Sequence, residues 1–201
     1  YKVAEQGTAP GGYTYDTTER TVSITVAGDP TKGTLTATTV VSGGPEGSKT
    51  YVYSSNATGS QEAAVVPFNN SYKAAGEVGI TATKSLTGRD LTEGEFNFAI
   101  KYATGNKDLL TASNAADGTV DFGYLTYTND ALAKLVKDGY AVNSTKDGKP
   151  AWDVSYVACE KIDSLPGGVS AQTQSIAFKV TVVDNGDGTL VATADTGNGL
   201  K

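Results

Sequence analysis

Apolar residues along this chain recur at every second position. The run "RTVSITVAG" sets Val22, Ile24 and Val26 on one side, and "GEFNFAIKY" does the same with Phe96, Phe98, Ile100 and Tyr102. "SIAFKVTVVD" repeats the pattern with Ile176, Phe178, Val180 and Val182. Successive side chains of a strand point to opposite faces, so this period of two predicts half-buried β-strands. "GDPTKG", "AADGT", "KDGKP" and "DNGDGT" separate the runs and carry the residues that turns require. Only "TNDALAKLVKDGY" has a helical period. There Leu132, Leu135 and Val136 form one stripe, Thr128 or Asn129 can cap the start, and Gly139 ends it. These patterns predict an all-β protein, a β-sandwich with one short crossover helix.

The chain repeats itself. "YKVAEQGTAPGG" near the start returns as "YVACEKIDSLPGG", and "TVSITVAGDPTKGTLTAT" returns as "FKVTVVDNGDGTLVAT". Tyr1 matches Tyr156, Glu5 matches Glu160 and Gly33 matches Gly188, at a constant offset of 155 residues. One insertion near Pro-Gly-Gly is undone before the second turn. A period this long signals tandem domains and not a solenoid of short units. The expected organisation is the later part of one domain over residues 1–72, a small-residue linker over 73–76, and a second domain over 77–201 that lacks its last strand. The chain reads as a piece of something longer.

The period also places three polar side chains on apolar faces. In "EVGITATKSL" the face of Val78, Ile80, Ala82 and Leu86 contains Lys84. In the repeated motif Glu160 shares a face with Trp152, Val154, Tyr156 and Ala158, and Glu5 follows Tyr1 and Val3 in the same way. In "VVPFNNSY" Asn70, and not Asn69, lies on the face of Val66, Phe68 and Tyr72. The ordinary readings are a lysine snorkelling from a strand end, a glutamate partnered by a cation or backbone N–H, and an asparagine satisfying a loop. Together they point to amide formation. Burial disfavours the charged forms of amine and carboxyl. A neutral lysine is a nucleophile, and a protonated glutamic acid can polarise an asparagine carbonyl and relay protons. The product is a Lys–Asn isopeptide bond plus ammonia. It forms once per domain without cofactor, so the chain is not expected to be a turnover enzyme.

Composition narrows the alternatives. The 201 residues contain no histidine and one cysteine, Cys159. That excludes Ser-His-Asp and Cys-His hydrolysis, His-ligated zinc and an internal disulfide. A net charge of −6 without a basic block disfavours nucleic acid as a partner. No apolar run approaches the roughly 20 residues of a membrane span, so no membrane insertion is expected. "DNGDGT" has too few acidic positions for a calcium loop and reads as a hairpin turn. No metal or cofactor is expected.

The stretch "ITATKSLTGRDLTEGEFNFAI" with Lys84, "YVACE" with Glu160, the turn "DNGDGTL" and "FNNSY" with Asn70 together resemble the streptococcal-type pilin isopeptide-linkage domain. That domain occurs in major pilins and repetitive surface proteins of Gram-positive bacteria. The resemblance implies an immunoglobulin-like β-sandwich of the pilin type and an extracellular, cell-wall-anchored stalk. Its partners would be the neighbouring tandem domains of the same polypeptide. It implies Lys84 as isopeptide nucleophile and Glu160 as acid/base of the second domain, with Glu5 as acid/base and Asn70 as acceptor of the first. No complete triad of one domain falls within residues 1–201, so no bond is expected in this stretch itself. The alternative is a ligand-binding adhesin domain for glycan or matrix protein on the same fold. It would need an exposed aromatic patch, for which Trp152 and some tyrosines are the only material.

Overall fold

The structure is a computed structural model and describes residues 1–162, 165–170 and 175–196. The end of the expected second domain beyond residue 196 lies outside the described residues. The strands are β1 (Lys2–Val3), β2 (Tyr13–Thr14), β3 (Arg20–Asp29), β4 (Thr34–Gly44), β5 (Gly47–Ser54) and β6 (Ser71–Tyr72). There follow β7 (Ala75–Thr83), β8 (Asn97–Tyr102), β9 (Leu110–Ser113) and β10 (Thr119–Thr128). After helix α1 (Asn129–Lys137) come β11 (Ala141–Lys146), β12 (Lys149–Glu160), β13 (Ile176–Asp184) and β14 (Leu190–Asp195). The fold is all-β with antiparallel sheets, as the alternating pattern predicts. The chain divides into two compact units, Tyr1–Tyr72 and Lys73–Lys201.

In the first unit β1, β3, β4 and β5 form one sheet in that order, and β2 pairs with β6. In the second, β14, β13, β12, β8 and β9 lie in order, with β11 on β12, while β7 and β10 pair separately. The core of the second unit is built where the period placed it. Ile80, Ile100, Val120, Val154, Tyr156, Val180 and Val182 are all almost completely buried. Helix α1 starts at Thr128, whose Oγ1 accepts the Ala131 N–H at 3.2 Å. It stops at Gly139, which adopts φ +80°, a conformation that suits glycine.

The sequence repeat is a structural repeat. Lys2 pairs with Thr21 as Val157 pairs with Ala177. Ile24 pairs with Thr39 as Val180 pairs with Ala194, and Val26 with Ala37 as Val182 with Ala192. The strands β1, β3 and β4 thus correspond in register to β12, β13 and β14.

Two expectations are corrected. Ile24 and Val26, placed by period on a core face, are 48% and 60% exposed, whereas their counterparts Val180 and Val182 are fully buried. Leu35 is 57% exposed and its counterpart Leu190 5%. In the second unit β7 lies against β14, with Gly76 packed on Leu190. Among the described residues of the first unit no strand covers the corresponding face. Residues 73–76, expected as a linker, belong to the second unit. Ala74 is buried and its N–H donates to Asn129 Oδ1, while Ala75 bridges to Thr189. A Cβ at Gly76 would collide with the Leu190 carbonyl, so these small residues serve close packing and not flexibility.

Candidate functional site

Lys84 follows the last residue of β7, and its N–H donates to the Gly118 carbonyl at 2.7 Å. Gly118 has φ +87°, and a side chain there would strike the Lys84 carbonyl. The end of β7 is thereby fixed, and the lysine side chain continues the inward face of Val78, Ile80 and Ala82. Glu160 is the last residue of β12 and lies opposite Phe98 of β8. Lys84 Nζ donates to Glu160 Oε1 at 2.9 Å and to Oε2 at 3.1 Å. The side chains are 12% and 5% exposed, so the pair is shielded from water. Phe96, itself buried, forms the floor, its ring centre 4.3 Å from Nζ. A cation over an aromatic face is stabilised by the ring quadrupole.

In the first unit the equivalent glutamate contacts an asparagine. Asn70 Nδ2 donates to Glu5 Oε1 at 2.9 Å, and Asn70 Oδ1 accepts the Asp16 N–H at 2.9 Å. Glu5 Oε2 is buried and has no hydrogen-bond partner. An orphaned buried carboxylate oxygen is costly, and it marks a place where a donor belongs. At Glu160, the counterpart of Glu5, the donor is Lys84. Asn70 was expected in apolar surroundings but is exposed. It precedes the short strand β6 and is held by two hydrogen bonds, to Glu5 and from the Asp16 N–H.

Arg20 was missed. It is 1% exposed and holds the segment that carries Asn70. Its Nε donates to the Pro67 carbonyl at 2.9 Å, Nη1 to the Thr18 carbonyl at 2.9 Å and Nη2 to Asp16, and it lies over the Phe68 ring. The signal was present, since Arg20 shares the parity of Val22, Ile24 and Val26. Asp16 in turn accepts the N–H groups of Asn69 and Thr18, which with Arg20 hold its carboxyl down at about 2.

In "DNGDGT" Asp184 accepts the Gly186 N–H and Asp187 accepts Thr189, so these carboxylates order the turn. Among the described residues no three His, Cys, Asp or Glu side chains gather as for a metal ion. Cys159 is a half-buried free thiol near the Ala99 carbonyl.

Two glutamates at equivalent places thus have different partners, a lysine in the second unit and an asparagine in the first. The profile of FctA, the Spy0128-like isopeptide containing domain, matches residues 1–73 and 80–201, and the chain belongs to that family in two partial copies. No curated protein and no solved structure matches the chain. Membership makes the chain a structural module of the pilin or shaft kind, with an extracellular surface location. No helix among the described residues is long and apolar enough to cross a membrane.

Proposed function

We propose that this chain is a stretch of a Gram-positive cell-wall-anchored stalk whose domains lock themselves with Lys–Asn isopeptide bonds. The observation that carries the proposal is the complementarity of the two half-sites. Glu160 holds the amine and Glu5 holds the amide, and the registers of the two units make the glutamates equivalent. In a complete domain of this kind one carboxyl would then touch a lysine and an asparagine at once.

The chemistry follows from that contact. Transfer of a proton from Nζ to the glutamate along the hydrogen bond yields a neutral amine and a neutral acid. The amine attacks the asparagine carbonyl carbon, while the acid polarises the carbonyl oxygen. The carbonyl carbon gains a bond to Nζ and loses its bond to Nδ2. The glutamate relays both protons that Nζ gives up to the departing nitrogen, which leaves as ammonium (ammonia plus a proton), and the glutamate ends as the carboxylate it began as. Enclosure supplies the effective concentration, so no second enzyme is needed. Each domain reacts once. In this role Lys84 is the nucleophile, Asn70 the acceptor, and Glu160 and Glu5 the acid/base groups of their domains. The neighbouring tandem domains are the partners that complete each site.

A stalk domain linked between its first and last strands passes tension through the crosslink and not through its hydrogen-bonded sheets. Single-molecule pulling of the natural polypeptide, with the flanking repeats in place, tests this. The unsubstituted domain should not extend, and a Lys84→Ala domain should unfold and extend. Extension of the unsubstituted domain would overturn the proposal.

A further inference from the structure

The second unit contains a cleft of about 680 Å³ that the crosslinking chemistry does not use. It lies between α1, the loop after β8 and the Tyr124–Tyr127 stretch of β10. Tyr102, Tyr124, Tyr127, Tyr140 and Tyr156 all line it. Tyrosine is a rigid surface with an apolar face and a polar tip, and its clustering in a concave site of this size is the mark of a ligand site.

We propose that this cleft binds a short oligosaccharide. The rings are arranged for stacking from one side. Tyr140 stacks on Tyr102 at 4.3 Å and 15°, Tyr102 on Tyr156 at 5.5 Å, and Tyr156 on Phe178 at 5.3 Å. This ladder anchors the cleft wall to the core and leaves no slot between Tyr102 and Tyr140. A proline-rich peptide, which docks between aromatic ridges, has no such groove here. Opposite, Tyr124 pairs with Gly79, and its ring lies over that glycine. Its outer face is bare, and the residue is 62% exposed. A bare tyrosine face suits the C–H face of a pyranose ring.

The polar groups fit the same ligand. At the floor, the hydroxyls of Tyr127 and Tyr156 lie 2.9 Å apart, and both residues are 2% exposed. One hydroxyl donates to the other, which leaves the acceptor's own hydrogen without a partner among the described residues. It is a buried donor at the wall of a cleft, and buried donors are normally satisfied. A sugar hydroxyl entering the cleft would accept it. At the lip Lys134 and Asp138 neutralise each other. Lys107 and Asn106 remain to donate to ring or hydroxyl oxygens. No unpaired carboxylate lines the cleft, so a cationic ligand finds no counter-charge. Trp152, the aromatic that the sequence alone offered for such a patch, is half-buried and does not line the cleft. This site is independent of the stalk chemistry, since neither Lys84 nor Glu160 borders it.

The test is binding of the 201-residue chain to an array of immobilised neutral and acidic oligosaccharides. A proline-rich decapeptide is tested alongside. The sugars retained are then titrated against the chain and its variants. We expect retention of at least one sugar. Tyr124→Ala should weaken it by about tenfold, Tyr124→Phe should retain most of it, and Lys107→Ala should weaken it without altering the melting temperature. Tyr124 and Lys107 are exposed, so these variants keep the fold. No sugar bound above background overturns the proposal. So does equal binding by Tyr124→Ala and Lys107→Ala, or retention of the decapeptide alone.

Discussion

Asn70 and Glu5, 65 residues apart in the chain, meet through an Nδ2–Oε1 hydrogen bond of 2.9 Å that leaves the second carboxylate oxygen buried and unpartnered. Glu160, at the equivalent place of the repeat, uses both oxygens to hold one lysine. The proposed crosslinking site combines the partners of these two glutamates.

Glu160→Ala should strand Lys84 in a pocket where its side chain is only 12% exposed. Removing one partner of a buried ion pair costs about 3–5 kcal/mol. Replacing the pair together, as Lys84→Met with Glu160→Leu, should restore most of that loss, because two apolar chains need no mutual neutralisation. Urea unfolding followed through Trp152 fluorescence reports the second unit. A single variant as stable as the parent would show that the pair is not desolvated.

Gly76→Ala should destabilise the second unit by about 1–3 kcal/mol through overpacking, because a Cβ there meets the Leu190 carbonyl and side chain. A free linker would tolerate the change or gain from it. Thermal melts of the two proteins decide between a packed segment and a flexible one.

The period of two made Lys84, Glu160 and most of the second core legible, because each lies on a strand whose two faces differ sharply in polarity. The same parity contained Arg20, which was passed over at the head of its strand. It failed for Ile24 and Val26 for a physical reason. Alternation says which side chains share a face, but not whether another sheet lies over that face. The 73–76 segment was misread because small residues serve close contact and flexibility alike. The tyrosine cleft was not legible at all. Its walls come from a helix, a loop and a strand, and only the fold brings Tyr102, Tyr124 and Tyr140 together.

The uncovered face should make the chain self-associate. Ile24, Val26 and Leu35 form an exposed apolar strip on the β3–β4 hairpin. The double change Ile24→Thr and Val26→Thr should shift sedimentation toward monomer at high concentration. It should move stability by no more than about 0.5 kcal/mol, as expected of exposed sites. Unchanged association would show that the strip is not the contact.

Alkaline pH should weaken the second unit. Burial first, and the proximity of neighbouring tyrosines next, raise Tyr127 well above the ordinary phenol value. Burial is also the main cause at Tyr156. In the unfolded chain these phenols ionise near pH 10. The folded state then binds more protons than the unfolded one, so stability present below about pH 10 is lost as pH rises beyond it. Urea midpoints at about pH 9 and pH 11 should fall more for the parent than for a Tyr127→Phe, Tyr156→Phe variant. An equal fall would contradict this origin.

Intact mass tests the central claim most directly. Among the described residues no asparagine is bonded to Lys84 or Glu160, and the 201-residue chain should therefore have its full sequence mass. Residues 64–72, which contain Asn70, are then appended after Lys201 to offer Lys84 and Glu160 an asparagine side chain. The extended chain should lose one ammonia. Lys84→Ala and Glu160→Ala should each abolish that loss, and Asn70→Ala in the first unit should not. Full sequence mass in the extended chain, or a loss that persists without Glu160, would contradict the account.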